Sequence, residues 1–141
     1  MLKMNEFFKQ KSLFTIQSGK KIIEAVNYMA EHNVGLIPVL DNEKLIGVFS
    51  ERDLMRRVIA KGLDLADTIV DDIMTKELIL AKSDESYEAC LMKMKEAKIR
   101  HILIIENEKL LGVLSMRDLL EIDISAKKET IEVLNNYIYS R

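Results

Sequence analysis

The 141-residue chain is 48% hydrophobic, so it is long enough to bury one sizeable core. Its 21 basic and 23 acidic residues are interspersed and give a net charge of −2, which argues against nucleic acid as a main partner. No apolar run approaches the roughly 20 residues needed to cross a bilayer, and the N-terminus lacks the hydrophobic stretch of a secretory signal. We therefore expect a cytoplasmic protein that does not enter a membrane.

The first half of the chain has the pattern of a β-α-β-β-α unit. Apolar residues at one-sided helical spacing predict an amphipathic helix, and two apolar segments on either side of a polar turn predict a β-hairpin. Pro38 places its strand near a sheet edge or an irregularity, and Gly62 is a suitable end for the second helix. In order, the elements are predicted at 13–16 (strand), 20–32 (helix), 36–40 and 45–49 (hairpin strands) and 51–61 (helix).

The second half repeats this plan. The thirteen residues that begin at Asn42 recur 65 positions later, from Asn107, with ten identities. Self-similarity at a fixed offset indicates a duplicated unit that buries a face it could not bury alone. We therefore predict an α/β (α+β) fold in which two β-α-β-β-α repeats pack sheet to sheet about a pseudo-twofold axis. The second set of elements is predicted at 78–80 (strand), 84–98 (helix), 101–105 and 110–114 (hairpin strands) and from 116 (helix).

Two further segments connect and extend the repeats. The segment between them carries interspersed apolar residues, which a flexible linker would lack, so we expect an ordered connector. From Ser125 to Tyr139 the chain has no glycine or proline and places apolar residues at helical spacing. This predicts a helix that packs on the domain or on a second copy of it. The predicted division is an N-terminal segment 1–12, repeat 1 at 13–62, a connector 63–75, repeat 2 at 76–124 and a C-terminal helix 125–141.

Each repeat contains the run Gly-apolar-apolar-Ser-x-x-Asp, which ends with Ser50 and Asp53 in the first and with Ser115 and Asp118 in the second. A serine before a helix and a carboxylate three residues later resemble a capping box, which requires no ligand. The same geometry also suits a ligand, because a helix N-terminus attracts anions and an aspartate accepts hydrogen bonds from a vicinal diol such as ribose. Spacing alone favours capping.

The duplicated run and the apolar hairpin before it resemble a tandem of cystathionine-β-synthase-type (CBS) domains, the CBS pair or Bateman module. The resemblance covers roughly residues 13–124 and implies a module that binds an adenine nucleotide, which could be AMP, ADP, ATP or NAD. In that family an aspartate holds ribose hydroxyls, serine and arginine lie on the ribose or phosphate side, and strand residues enclose the adenine. Carried over, repeat 1 would use Asp53, Ser50 and Arg52 with Leu36, Ile37 and Pro38, and repeat 2 would use Asp118, Ser115 and Arg117 with His101, Ile102 and Leu103.

The two implied sites differ at the start of the second strand. Arg100 and His101 stand where repeat 1 has Gly35 and Leu36, and the resemblance implies that a basic residue there faces phosphate. The alternative for His101 is a partly buried, hydrogen-bonded imidazole at a strand edge. The arginines of the two motifs could equally point to solvent. Where the family commonly has proline, repeat 2 has Leu103, which alters the backbone of its slot.

No catalytic constellation is recognisable: the sequence has no nucleophile with a base in context, no metal-ligand spacing and no Gly-rich phosphate loop. We expect a binding protein and not an enzyme, with no catalytic cofactor and no metal. The resemblance further implies a homodimer that regulates another protein when the nucleotide biases its conformation. The alternative is a ligand-independent dimeric interaction scaffold. Direct DNA contact is disfavoured by the acidic balance and the missing helix-turn-helix signature.

Overall fold

The computed structural model of the protein describes residues 7–8 and 11–139. The chain forms two compact units: Leu13–Leu78, the first unit, and Ile79–Arg141 with Met1–Ser12, the second unit. Each unit has one three-stranded sheet and a hydrophobic core of its own. The predicted α+β fold with a duplicated sheet is therefore confirmed. The packing of the two repeats about a pseudo-twofold axis stays a prediction.

The first unit has the order β-α-β-β-α, and its last helix changes from an α-helix to a π-helix. Its elements are β1 (Ile16–Gln17), α1 (Ile22–His32), β2 (Leu36–Asp41), β3 (Lys44–Ser50), α2 (Glu51–Asp53) and the π-helix Leu54–Ile59 that continues α2. Strand β2 is central, because it pairs in parallel with β1 and antiparallel with β3. Gly62, at φ +69°, adopts the left-handed backbone that glycine favours just beyond the π-helix. The helix ends at Ile59, two residues before the predicted end at residue 61.

The second unit repeats the order of elements and lengthens the last helix. Its elements are β4 (Leu80–Lys82), α3 (Tyr87–Ala97), β5 (His101–Glu106), β6 (Lys109–Ser115) and α4 (Met116–Tyr139). Strand β5 is central, between the parallel β4 and the antiparallel β6. The helix predicted from 116 and the separate helix predicted over 125–139 are one continuous helix, since nothing in that stretch interrupts helical hydrogen bonding.

Proline in the central strand of the first unit shortens its parallel pairing. In the second unit the N–H of Leu103 donates to the carbonyl of Ile79 at 3.4 Å. Pro38 occupies the equivalent position and has no N–H to donate. Strand β1 accordingly pairs over two residues where β4 pairs over three. Of the two settings predicted for Pro38, the irregularity is present, because the register shifts between Val39 and Leu40.

The core of each unit lies between one face of its sheet and its helices. Alternation along the central strands turns Ile37 and Ile102 toward these cores, where both side chains are almost completely buried. Burying one aliphatic or aromatic side chain stabilises a fold by about 1.5–3 kcal/mol. The first core contains Ile16, Ile22, Ala25, Met29, Ile37, Val39, Phe49, Val58, Val70, Ile73 and Met74, and the second contains Phe8, Ala81, Cys90, Met94, Ile102, Ile104, Leu114, Leu119 and Ile122.

The segment predicted as a connector is bonded along the first unit. The N–H of Val70 donates to the carbonyl of Lys20 at 2.8 Å, and the N–H of Ile22 donates to that of Thr68 at 2.9 Å. These bonds flank Lys21, whose backbone is extended, so α1 begins at Ile22 and not at the predicted residue 20. Farther along, Thr75 and Val48 exchange two backbone hydrogen bonds of 2.8 and 3.0 Å. The segment therefore adds a short pairing to β3.

Candidate functional site

Both Ser-x-x-Asp runs form reciprocal hydrogen bonds at the start of a helix. The N–H of Asp53 donates to Ser50 Oγ at 3.2 Å, and the N–H of Ser50 donates to Asp53 Oδ2 at 3.1 Å. In the second unit, the N–H of Asp118 donates to Ser115 Oγ at 3.1 Å and the N–H of Ser115 donates to Asp118 Oδ2 at 2.8 Å. Both runs are thus capping boxes, which satisfy backbone N–H groups that the helix leaves without partners. The remaining contacts of the two aspartates differ.

The carboxylate of Asp53 is surrounded by donors of its own unit. Besides the backbone bond, its Oδ2 accepts from the hydroxyl of Ser50 at 3.1 Å, and its Oδ1 accepts from the hydroxyl of Thr75 at 3.1 Å. Arg57 Nε lies 3.6 Å from the same Oδ1. The residue is only 6% exposed. Both oxygens of Asp53 are therefore occupied, as the burial of a charge requires.

Arg57 joins this carboxylate to the connector. Its Nη1 donates to the carbonyls of Ile73 and Met74 at 3.0 and 3.4 Å. Thr75, the next residue, carries the hydroxyl that reaches Asp53. Three consecutive connector residues are thus held by one charged pair. Neither Arg57 nor Thr75 was predicted as a site residue, because capping arguments consider only the helix that a motif begins.

Asp118 is held by a residue from the N-terminal segment. The ammonium of Lys11 forms a short ion pair with Asp118 Oδ2 and also donates to the carbonyl of Val113 at 2.9 Å. Burial alone would raise the pKa of Asp118, but the hydrogen bonds from Lys11 and Ser115 outweigh it, so the pKa lies below the usual value of an aspartate. The Asp118 side chain is 15% exposed and that of Lys11 is 35% exposed. A carboxylate and an ammonium therefore meet near the surface of the second unit.

In each hairpin, a side chain from outside the repeat packs directly against a glycine. These side chains come from the N-terminal segment and from the connector. A Cβ atom at Gly112 would lie 2.4 Å from the ring of Phe8, and a Cβ atom at Gly47 would lie 2.6 Å from the sulfur of Met74. Both distances are too short for real carbon contacts, so neither position has room for a side chain. Phe8 and Met74 occupy equivalent places in their units. The N–H of Lys11, the residue beside Asp118, donates to the carbonyl of Phe8 at 3.4 Å.

The starts of the two central strands carry opposite charge. At Gly35 a Cβ atom would lie 3.2 Å from the carboxyl carbon of Glu51, so this carboxylate lies over the strand start of the first unit. In the second unit the equivalent positions are Arg100 and Met116, joined by a 2.8 Å hydrogen bond from the N–H of Met116 to the carbonyl of Arg100. His101 follows and pairs with Ser115 across the strands. The second unit therefore presents basic groups where the first presents a carboxylate.

The predicted apolar residues divide between the two faces of each sheet. Ile37 and Ile102 lie in the cores, at 0% and 1% exposure, and so are not accessible to a ligand. Pro38 and Leu103 are also buried, but they point to the opposite sheet faces and belong to neither core cluster. Leu36 and His101, at the strand starts, are partly exposed, whereas Arg52, Arg100 and Arg117 are exposed.

A cavity of about 240 Å³ in the first unit lies at the strand start where Glu51 approaches Gly35. It is bounded by Val26, Met29, Ala30, Asn33, Val34, Gly35, Phe49, Glu51 and Leu54, none of which was predicted as a site residue. Within residues 7–8 and 11–139, three or more potential metal ligands do not come together. The helices of this described part also include none that is long and apolar enough to cross a membrane.

Two features of the chain now agree on one family. The hairpin, the capping box and the covered glycine occur twice at equivalent positions, and a family model for the CBS domain matches residues 7–60 and 70–125. The chain belongs to the CBS domain family. The two matched segments make it a CBS pair, as the sequence resemblance implied.

Known CBS proteins resemble the chain over most of its length. A CBS domain-containing protein of Arabidopsis thaliana, CBSX3, described as mitochondrial, is 32% identical over 122 residues; these cover 83% of this chain and 59% of that protein. A solved CBS-domain protein of Burkholderia ambifaria has a TM-score of 0.80 at 27% identity, covering 86% of this chain and 93% of the other. A CBS domain protein of Pyrobaculum aerophilum in complex with AMP has a TM-score of 0.74 at 26% identity, covering 83% and 89%. The chain thus spans about three fifths of the plant relative's length.

Proposed function

We propose that this CBS pair is a regulatory module that binds an adenine nucleotide, AMP, ADP, ATP or NAD, and thereby alters the activity of a partner protein. The observation that carries the proposal is the Asp118 carboxylate, held at the start of α4 beside Lys11, in the unit whose strand start carries Arg100 and His101. A carboxylate accepts ribose hydroxyls, while a helix N-terminus and basic side chains favour phosphate. The AMP bound to the Pyrobaculum relative supports this ligand class.

Regulation without catalysis is part of the same proposal. CBS pairs are typically regulatory modules, and a nucleotide acts on such a module only through its different affinities for two conformations. The proposed module is a homodimer, because the exposed side of α4 carries apolar residues that a second copy would cover. The predicted cytoplasmic location stays a prediction, since the plant relative is described as mitochondrial.

Calorimetric titration tests the proposal. AMP, ADP, ATP, NAD and S-adenosylmethionine are titrated separately into the purified chain, and each titration is repeated with Asp118→Asn. Saturable heat with at least one adenine nucleotide, weakened in the variant, is the expected result. No heat with any of them, together with no rise in melting temperature, would contradict nucleotide binding.

A ligand-independent scaffold is the second candidate. The capping boxes favour it, because Ser50 with Asp53 and Ser115 with Asp118 are complete without a ligand. It predicts that none of the adenine nucleotides binds the chain. The calorimetric titrations therefore also separate the two candidates.

A further inference from the structure

The two aspartates of the repeated motif have different surroundings, and we propose that they have different roles. Asp118 binds the nucleotide together with Lys11, whereas Asp53 is a structural residue that fastens the connector. One chain then holds one nucleotide, on its second unit. This inference rests on the proposed function, since it says where on the chain the nucleotide binds and adds a residue that the repeated motif does not contain.

Asp53 has no oxygen left for a diol. Its Oδ2 accepts from the N–H and the hydroxyl of Ser50, and its Oδ1 accepts from Thr75 at 3.1 Å and lies 3.6 Å from Arg57 Nε. A ribose hydroxyl would have to displace Thr75 or Arg57. Each of these residues also holds the connector, by a backbone pairing with β3 or by bonds to Ile73 and Met74. Displacement of Thr75 would leave its part-buried hydroxyl without this acceptor, which is costly.

Asp118 differs from Asp53 because its donors in the described part of the chain bond to only one of its two carboxylate oxygens. Among the described residues, both Ser115 and Lys11 donate to Oδ2, so the other oxygen keeps acceptor capacity for a ribose hydroxyl. The ammonium of Lys11 has three N–H groups. Two of them are used by Asp118 and the carbonyl of Val113, the ammonium lies 5.6 Å from the centre of the Phe7 ring, and the side chain is 35% exposed. A carboxylate oxygen and an ammonium N–H are therefore presented side by side.

The charges around Asp53 and Asp118 also favour the second unit as the nucleotide site. Each aspartate has a cation beside it, Lys11 at Asp118 and Arg57 at Asp53, so the difference in charge lies at the strand starts. Arg100 and His101 add basic groups at the strand start of the second unit, next to Ser115. In the first unit the carboxylate of Glu51 lies over the equivalent position, Gly35, and would repel a phosphate. Geometry and charge thus agree on the second unit.

In this arrangement Lys11 binds the nucleotide and does not compete with it for the site. A cation that merely filled the ligand's place would have to leave before the nucleotide entered, and its removal would tighten binding. A cation that donates to the ligand strengthens binding, most of all to an anionic ligand. The two roles therefore predict opposite effects of removing the charge at position 11.

The test is calorimetric titration of AMP and of adenosine into matched variants. Asp118→Asn and Lys11→Gln should each weaken AMP binding by about tenfold or more, since charged hydrogen bonds contribute about 1.5–3 kcal/mol. The control Lys109→Gln, which removes the same charge from an exposed hairpin residue of the same unit, should change AMP affinity by less than about twofold. Lys11→Gln should weaken AMP more than adenosine, because adenosine has no phosphate. The expected stoichiometry is one AMP per chain.

The first unit provides the opposite comparison. Asp53→Asn should lower the melting temperature and leave AMP affinity within about twofold. Because that variant can unfold the unit, Thr75→Val, which removes only a neutral donor to Asp53, serves as a second variant with the same expectation. Two AMP per chain, loss of binding in Thr75→Val with none in Asp118→Asn, or tighter binding in Lys11→Gln would each overturn the inference while nucleotide binding itself stands. Absence of binding to the unaltered chain would overturn the proposed function and the inference together.

Discussion

Lys11 and Asp118, 107 positions apart in the sequence, form an ion pair in the second unit. The pair fixes the N-terminal segment beside the start of α4, at the place where the first unit uses Thr75 and Arg57 of its own sequence. The two repeats therefore solve one structural problem with different residues. In both units, the segment that precedes a repeat packs on a glycine of the hairpin. The aspartate of the motif forms a side-chain hydrogen bond to that same segment.

The ion pair makes the stability of the second unit depend on pH. The pKa of Asp118 is lowered from 3.8, where burial opposes the shift and the hydrogen bonds from Lys11 and Ser115 cause it. A carboxyl whose folded pKa is below its unfolded pKa adds stability above the unfolded value, and that stability is lost as the pH falls through the folded value. We expect Asp118→Asn to reduce the free energy of unfolding at about pH 7 and to have a smaller effect at about pH 3. Urea denaturation at both pH values checks this, and an equal loss at both would contradict it.

The hydroxyl of Thr75 should stabilise the first unit measurably. It donates to Asp53 Oδ1 at 3.1 Å, and Asp53 is 6% exposed. Thr75→Val keeps the shape and removes the donor, so we expect a loss of about 1–2 kcal/mol in the free energy of unfolding. The control is Thr130→Val, whose hydroxyl donates to the carbonyl of Ala126 on the exposed side of α4 and should matter by less than about 0.5 kcal/mol. Equal effects of the two substitutions in urea denaturation would argue against a special role of Thr75.

Phe8 and Gly112 should be energetically coupled. A Cβ atom at position 112 would lie 2.4 Å from the ring of Phe8, which is 8% exposed in the second core. Gly112→Ala should therefore destabilise the chain by about 1–3 kcal/mol through overpacking, and Phe8→Ala should cost about 3–5 kcal/mol. Once the ring is absent, the added methyl group meets no obstacle, so the double variant should be more stable than the sum of the single effects predicts. Strict additivity in urea denaturation would mean that Phe8 does not lie on the glycine.

Local pattern predicted the repeated units well and their connections poorly. Apolar periodicity and turn residues predict the hairpins, α1 and α3. The spacing of three between Ser and Asp predicts the capping boxes. Lys11 was missed because its partner is distant in sequence and no local pattern marks such a pair. A usable signal did exist: Phe7-Phe8 aligns with Ile73-Met74 at an offset of 66, beside the 65 of the repeats. The N-terminal residues could thus have been recognised as the counterpart of the connector.

The exposed side of α4 leads to a prediction about assembly. Five apolar residues of this helix are between 52% and 57% exposed and recur at spacings of four, seven, three and four residues: Leu120, Ile124, Ile131, Leu134 and Ile138. This is the a/d spacing of a helix that packs on another helix. Lys127 interrupts the stripe, and its ammonium pairs with Asp123 at 2.9 Å. Most of the stability of a helix in a protein comes from the packing of its apolar side, and the α4 residues in the second core are Leu119 and Ile122, near its start.

A second copy of the chain would cover the stripe, since the a and d residues of two parallel helices pack on one another. We therefore expect the chain to sediment as a dimer. Ile131→Glu should shift it toward monomer, because a charge would be buried between the helices without a partner. Asn136→Glu introduces the same charge on the opposite side of α4 and should leave the dimer intact. Sedimentation velocity over a range of concentrations distinguishes the outcomes: a wild-type monomer, or equal dissociation by both variants, would show that the stripe is not the dimer contact.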